Sequence, residues 1–197
     1  MKRKTKIFIL IILILSSFII FYKYKQNAFL GLTKPQVETE NSIINYARKN
    51  GIQGEILVAK SDSSQTILNT YFSFGNLYVI NKNLELIDCN LENLGGRCFQ
   101  DIQKDICENN NIIKRKFKSI TGKKVLNKLF ENSKNITTKH NFDISSYNYI
   151  YIYTWVKYAK ASINENSIKF MNCLEKRKGN ENFIILSVNT DMIENNE

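Results

Sequence analysis

The closing segment, Tyr149 to Asp191, constrains the fold more than any other part of the chain. Tyr149–Trp155 reads YIYIYTW, in which Tyr149, Tyr151 and Tyr153 alternate with Ile150, Ile152 and Thr154. A run so β-branched and aromatic suits a central strand covered on both faces. After a loop (VKYAKAS), Ile163, Ile168, Met171 and Leu174 recur at helical spacing, and Gly179 stops the helix. The sequence FIILSVNTD then reads as a second strand. Strand, helix and strand in this order predict a βαβ unit and an α/β layered fold.

The part before it has weaker but readable punctuation. Asn41 or Ser42 caps a short helix through Arg48, with Ile43, Ile44 and Ala47 on its apolar side and Gly51 after it. Glu55 to Lys60 (EILVAK) has strand length. Ser61 to Ser64 is a turn and cap cluster, and Thr66 to Phe72 continues as a helix with Ile67, Leu68 and Tyr71 on one side. Leu77–Ile80 and Leu84–Ile87 flank Asn81-Lys82-Asn83 and predict a hairpin, because Asn tolerates the positive φ of such turns. Cys98 to Cys107 reads as a helix with Phe99, Ile102 and Ile106 on one face. Between Asn109 and Phe142 only Lys123–Asn132 has helical patterning, and the rest reads as irregular.

Ile7 to Tyr22 is apolar except for Ser16 and Ser17. As a helix it spans about 24 Å at about 1.5 Å per residue, and flanking lysines that snorkel extend it toward a hydrocarbon core of about 30 Å. Lys2, Arg3, Lys4 and Lys6 precede the run, while Lys23 and Lys25 follow it. That asymmetry orients the N-terminus inside and exports the rest. A cleaved signal peptide is the rival, but FIIFYKYK offers no small-residue cleavage site. The chain thus divides into an anchor (1–25), a tether (26–40) containing the only proline, Pro35, and one exported domain (41–197), large enough for one core. The expected location is the inner membrane, single-pass, with the domain in the periplasm or outside.

The net charge is +10. Part of it is topogenic, and export removes most nucleic-acid partners, so the expectation is membrane lipid through the N-terminal helix and no nucleic acid. Lys114, Arg115, Lys116, Lys118, Lys123, Lys124 and Lys128 form the remaining basic cluster. It reads as a solvated face or as a contact for anionic headgroups. All four cysteines, Cys89, Cys98, Cys107 and Cys173, lie in the exported part, where disulfides are permitted and three pairings are open. Cys89–Cys98, joining the predicted hairpin to the following helix, is the candidate bridge; a reactive Cys98 at a helix start is the alternative. There is no Cys-x-x-Cys pair, and His140 is the only histidine. Zinc and histidine chemistry therefore have little to work with. Neither a metal nor a cofactor is expected.

The strand ending in Trp155, the loop–helix junction and the closing VNTD resemble the βαβ unit that carries the active site of thioredoxin-like proteins. Glu55 to Glu108, read as β-α-β-β-α, is similar to the second half of that fold, in reversed order along the chain. The resemblance implies an α/β, thioredoxin-like sheet, permuted or rearranged, mixed and flanked by helices, after one transmembrane helix. An α/β sheet with an unrelated N-terminal half is the other arrangement. Aligned on Trp155 and Asp191, the two family cysteines fall on Ala159 and Ser162, and the family's cis-proline falls in Ser73-Phe74-Gly75-Asn76, which has none. Disulfide exchange needs a thiolate and a resolving thiol, so the family's redox site is degenerate here. What the loop keeps is aromatic and cationic: Trp155, Lys157, Tyr158 and Lys160 are the candidate binding residues. The expected function is a binding or assembly component of the cell envelope with a protein or peptide partner, and not an enzyme. A thiol oxidoreductase using Cys98, and an envelope protein unrelated to thioredoxin, are the alternatives.

Overall fold

A computed structural model describes residues 16–17, 36–72, 75–87, 103–104, 106–108, 117–118, 121–138, 143–158, 161–177 and 181–194, with side chains of 117–118, 121 and 161–167 excepted. Among the described residues, four α-helices, a short 3-10 helix (Ile144–Ser146, between β5 and β6) and seven strands follow in the order α1 (Glu40–Lys49), β1 (Glu55–Ala59), α2 (Asp62–Tyr71), β2 (Leu77–Asn81), β3 (Leu86–Ile87), β4 (Phe117–Lys118), α3 (Thr121–Asn132), β5 (Ser133–Asn135), β6 (Tyr149–Trp155), α4 (Ala161–Arg177) and β7 (Phe183–Asn189). The strands form one mixed sheet in the order β4-β3-β2-β6-β7-β1-β5. β6, β7 and β1 are mutually parallel neighbours, while β2, β3, β4 and β5 each run antiparallel to a neighbour.

The predicted βαβ unit lies at the centre of this sheet. β6 and β7 pair from Tyr149–Phe183 to Trp155–Asn189, with α4 as the crossover. Every residue of β7 is buried, as is all of β6 after Tyr149. The pleat sends alternate side chains to opposite faces, and the two cores follow from it. Tyr151, Tyr153 and Trp155 pack with Ile43 and Ala47 of α1 and with Phe170, Met171 and Leu174 of α4. Ile150 and Ile152 pack with Leu68 of α2 and with Leu126 and Leu129 of α3. The molecule is a three-layer sandwich of helices on both faces of the sheet.

Several local expectations shift. The N-cap of α1 is Thr39, whose hydroxyl accepts from the Ser42 amide at 3.2 Å, rather than Asn41 or Ser42. α2 starts earlier than Thr66, because Ser61 caps it by accepting from the Ser64 amide. Its buried side is Ser64, Gln65 and Leu68, and Tyr71 is 51 % exposed instead of facing the core. In the hairpin the residue with positive φ is Leu84 (φ 60), not an asparagine. Asn81 organises the turn instead, its side-chain oxygen accepting from the amides of Asn83 and Glu85. The irregular reading around Lys123–Asn132 missed two edge strands, β4 and β5, which are too short and polar to carry a pattern. Within the expected helix from Cys98 to Cys107, only 103–104 and 106–107 are described, and they are helical.

Two glycines let backbone approach backbone. At Gly54 (φ +89) a Cβ would lie 2.4 Å from the Ile185 carbonyl oxygen, and at Gly122 one would lie 2.4 Å from that of Leu84. The first seats the entry to β1 beside β7, and the second seats the start of α3 on the hairpin.

Cys107 is joined to Cys173 of α4. Beside the bridge, Ile106 is buried and its carbonyl accepts from Arg177 Nη1 at 2.7 Å. The expected Cys89–Cys98 bridge lies outside the described residues. The Cys107–Cys173 bridge spans a sequence separation of 66. Constraining so long a loop in the unfolded chain stabilises by about 2–4 kcal/mol. Cys173→Ser should lower the unfolding free energy by about that amount in a guanidinium titration. A change within about 0.5 kcal/mol would show that the bridge does not constrain the unfolded state.

Candidate functional site

The parallel strands β6 and β7 end level with each other, because Trp155 pairs with Asn189. Their exits are then stapled. The Thr190 amide donates to the Trp155 carbonyl at 3.0 Å. Asn189 accepts from the Asp191 amide at 3.1 Å, and its own side-chain amide donates to Asp191 Oδ2 at 2.7 Å. The same Oδ2 accepts from the Lys157 amide at 2.6 Å. One buried carboxylate thus fixes the direction in which the chain leaves both central strands. From the other sheet face, Gln65 of α2 donates to the Thr190 carbonyl at 3.1 Å.

A third segment closes over this end. Glu38 forms a parallel bridge with Ile193: its amide donates to the Met192 carbonyl at 2.8 Å, and its carbonyl accepts from the Glu194 amide at 2.9 Å. The Lys157 ammonium meets Glu38 Oε2 at 2.5 Å and the Ser42 hydroxyl oxygen at 2.6 Å. Ser42 in turn donates to Glu38 Oε2 at 2.6 Å. One turn further along α1, Tyr46 stacks on Trp155 with ring centroids 5.8 Å apart and planes 10° from parallel. The end of the segment assigned as tether, 26–40, is therefore engaged with the fold at Glu38.

The two carboxylates are tuned in opposite directions. Burial pushes Asp191 above the usual carboxylate range, helped by the nearby Glu38 charge; hydrogen bonds from Asn189 and the Lys157 amide, and the Lys157 charge, only partly offset this. Burial also pushes Glu38 upward, but hydrogen bonds from Lys157 and Ser42 and the Lys157 charge outweigh it, so its carboxyl sits below the usual range. The Tyr158 phenol is pushed up by burial and by the Asp191 charge.

These contacts fasten the segment before α1 to the exits of β6 and β7. The Ser42 hydroxyl donates a hydrogen bond to Glu38, a carboxylate made less basic by its ion pair. The neighbouring Lys157 ammonium donates and has no lone pair for general-base work. No group of three or more His, Cys, Asp or Glu side chains able to hold a metal occurs among the described residues.

Of the candidate binding residues, Trp155 is 1 % exposed and its Nε1 has no hydrogen-bond partner among the described residues. Lys157 and Tyr158 are half-buried at the same end of β6. Lys160, Ala159 and the Ser162 side chain lie outside what is described. Sequence reasoning missed Glu38, Ser42 and Tyr46. The only signal was the i, i+4 spacing of Ser42 and Tyr46, which puts both on one side of the first helix; Glu38 precedes that helix and carried none. No family model, curated protein or solved structure matches the chain.

The opposed carboxylates give a signed pH prediction. Glu38, with its depressed folded value, contributes stability that is present above about pH 4.3 and is lost on further acidification. Glu38→Gln should destabilise by about 1–2 kcal/mol at pH 7, between the values for exposed and buried pairs, with the gap shrinking below about pH 4. Asp191, with its raised folded value, costs stability when ionised, and that cost is relieved as pH falls through the folded value. Asp191→Asn keeps the acceptor and should leave the melting temperature unchanged or higher at pH 7. Thermal melts across pH check both. A gap that widens in acid for Glu38→Gln, or a large drop for Asp191→Asn at pH 7, would contradict the assignment.

Proposed function

We propose that this chain is an exported, membrane-anchored α/β domain of thioredoxin-like descent that binds a protein or peptide partner at the cell envelope and performs no disulfide exchange. The permuted arrangement draws support from the sheet order. The closing βαβ pair and the hairpin strands lie side by side as β7-β6-β2-β3, with β2 antiparallel to β6. The two halves of the resemblance are thus neighbours in one sheet although reversed in sequence. Export draws support from the Cys107–Cys173 bridge, since structural disulfides persist in oxidising compartments. With that pair made, Cys89 and Cys98 are the two cysteines left to form the second bridge. No helix long and apolar enough to cross a membrane occurs among the described residues, and the run Ile7–Tyr22 lies almost wholly outside them.

The observation that carries the binding reading is the fixed exit of β6. Asp191 holds the Lys157 backbone, so the loop that begins there leaves the carboxyl edge of the parallel strands in a set direction. Open α/β sheets present ligand sites at that edge. Beside it, Val37 and Met192 are 63 % and 53 % exposed on either side of the Glu38 bridge. Tyr158, with these two apolar side chains, forms a rim suited to an extended peptide, and Lys157 adds a cation whose present partner is Glu38. An acidic partner side chain would compete with Glu38 for it.

Tyr158→Ala tests this. Aromatic anchors at interface centres contribute 2 kcal/mol or more, so recovery of a crosslinked envelope partner should fall by roughly thirtyfold, with little change in melting temperature. A large stability loss with undiminished recovery would make Tyr158 a packing residue and remove the support for a site here.

A further inference from the structure

We propose that the outer face of α3 is a docking surface by which the folded domain lies against anionic lipid headgroups. Lys123, Lys124, Asn127, Lys128 and Glu131 line one open, shallow depression on this helix. The opposite face, Leu126 and Leu129, is buried in the core, and Gly122 seats the start of the helix on the hairpin backbone. The lysines therefore project from a rigid platform. Half-exposed Tyr71 of α2 flanks them, with Lys128 Nζ 5.4 Å from its ring centre. Tyrosine beside lysine is the pairing that suits a membrane–water boundary, where one end of each side chain is apolar and the other wet.

Lys128 has the Tyr71 ring as a neighbour, but folding does not account for Lys123 and Lys124. Lys123 and Lys124 stand in the first turn of α3, which holds no acidic residue, so both face the positive end of the helix dipole. Lys124 and Lys128 are four residues apart, a like-charge spacing that weakens a helix. Among the described residues no carboxylate lies within ion-pair distance of any of the three. For Lys123 and Lys124 a local rule is broken with no compensating contact among the described residues, which points to a compensating charge outside the domain. A lipid surface fits better than an acidic peptide because, among the described residues, the depression is open and lined by one helix alone. The anchored reading of the N-terminus enters only by keeping a bilayer within reach.

The test uses the full chain in lipid nanodiscs carrying a nitroxide-labelled headgroup lipid, with either phosphatidylglycerol or only phosphatidylcholine as host. Line broadening of backbone amide resonances reports proximity. Broadening is expected at Tyr71 and across Lys123–Lys128 in the phosphatidylglycerol discs alone, and is lost in high salt. Replacing Lys123, Lys124 and Lys128 by Gln keeps helix propensity and should reduce the docked-to-undocked ratio about fivefold per lysine, with β6 and β7 resonances unmoved. Glu131→Lys should raise it. Equal broadening in both lipids, broadening centred on another face, or no effect of the charge changes would overturn the proposal. So would protection of this face only on adding an acidic envelope protein. Retention of the chain on the disc reports the anchor separately, so docking and anchoring fail independently.

Discussion

The pairing of β6 with β7 is the interaction on which the remaining structure depends. Its seven rungs, from Tyr149–Phe183 to Trp155–Asn189, join two strands whose side chains are buried on both faces. Burying a large apolar side chain is worth about 1.5–3 kcal/mol, and these strands contribute such side chains to both cores at once. β2 and β1 extend the pair on either side, and the four helices cover what the pair exposes. The polar cluster at the carboxyl end is a consequence of the same register. Because the strands end level, Asp191 reaches the Lys157 amide, and the Lys157 side chain then reaches the N-terminal segment.

That dependence explains what was legible beforehand. β6 and β7 were readable because two-sided burial leaves an unbroken apolar run, and α4 was readable from its 3.6-residue stripe. β4 and β5 were not, since edge strands of two or three residues such as Ser133-Lys134-Asn135 owe their conformation to a neighbour rather than to their own side chains. Tyr71 was misplaced because helical spacing alone does not say which flank of a stripe meets the sheet. The Leu84 turn was misassigned because the asparagine side chain accepts the turn's amides instead of occupying its strained position. At the site, Trp155, Lys157 and Tyr158 were legible from the loop. Glu38, Ser42 and Tyr46 were not, because they come from the chain's other end and join only through tertiary packing.

The polar groups at this end are tied to one another. Buried Asp191 is tied to backbone and amide donors, Glu38 to an ammonium and a hydroxyl. Among the described residues, each of these polar groups positions another. The basic face of α3 is the opposite case: among the described residues no carboxylate pairs with its lysines, and only Lys128 has a ring neighbour, Tyr71. The two regions differ in kind: one is a polar cluster closed by its own hydrogen bonds, the other an exposed run of lysines on one helix.

Native-state hydrogen exchange tests the central dependence most directly. If the β6–β7 pair carries the fold, the amides of Ile150–Trp155 and Ile184–Val188 exchange only through global unfolding and are the slowest in the chain, while those of β3 and β4 exchange faster by local opening. Exchange of the β6 and β7 amides at the rate of the β3 amides, under conditions where the chain remains folded, would contradict the account.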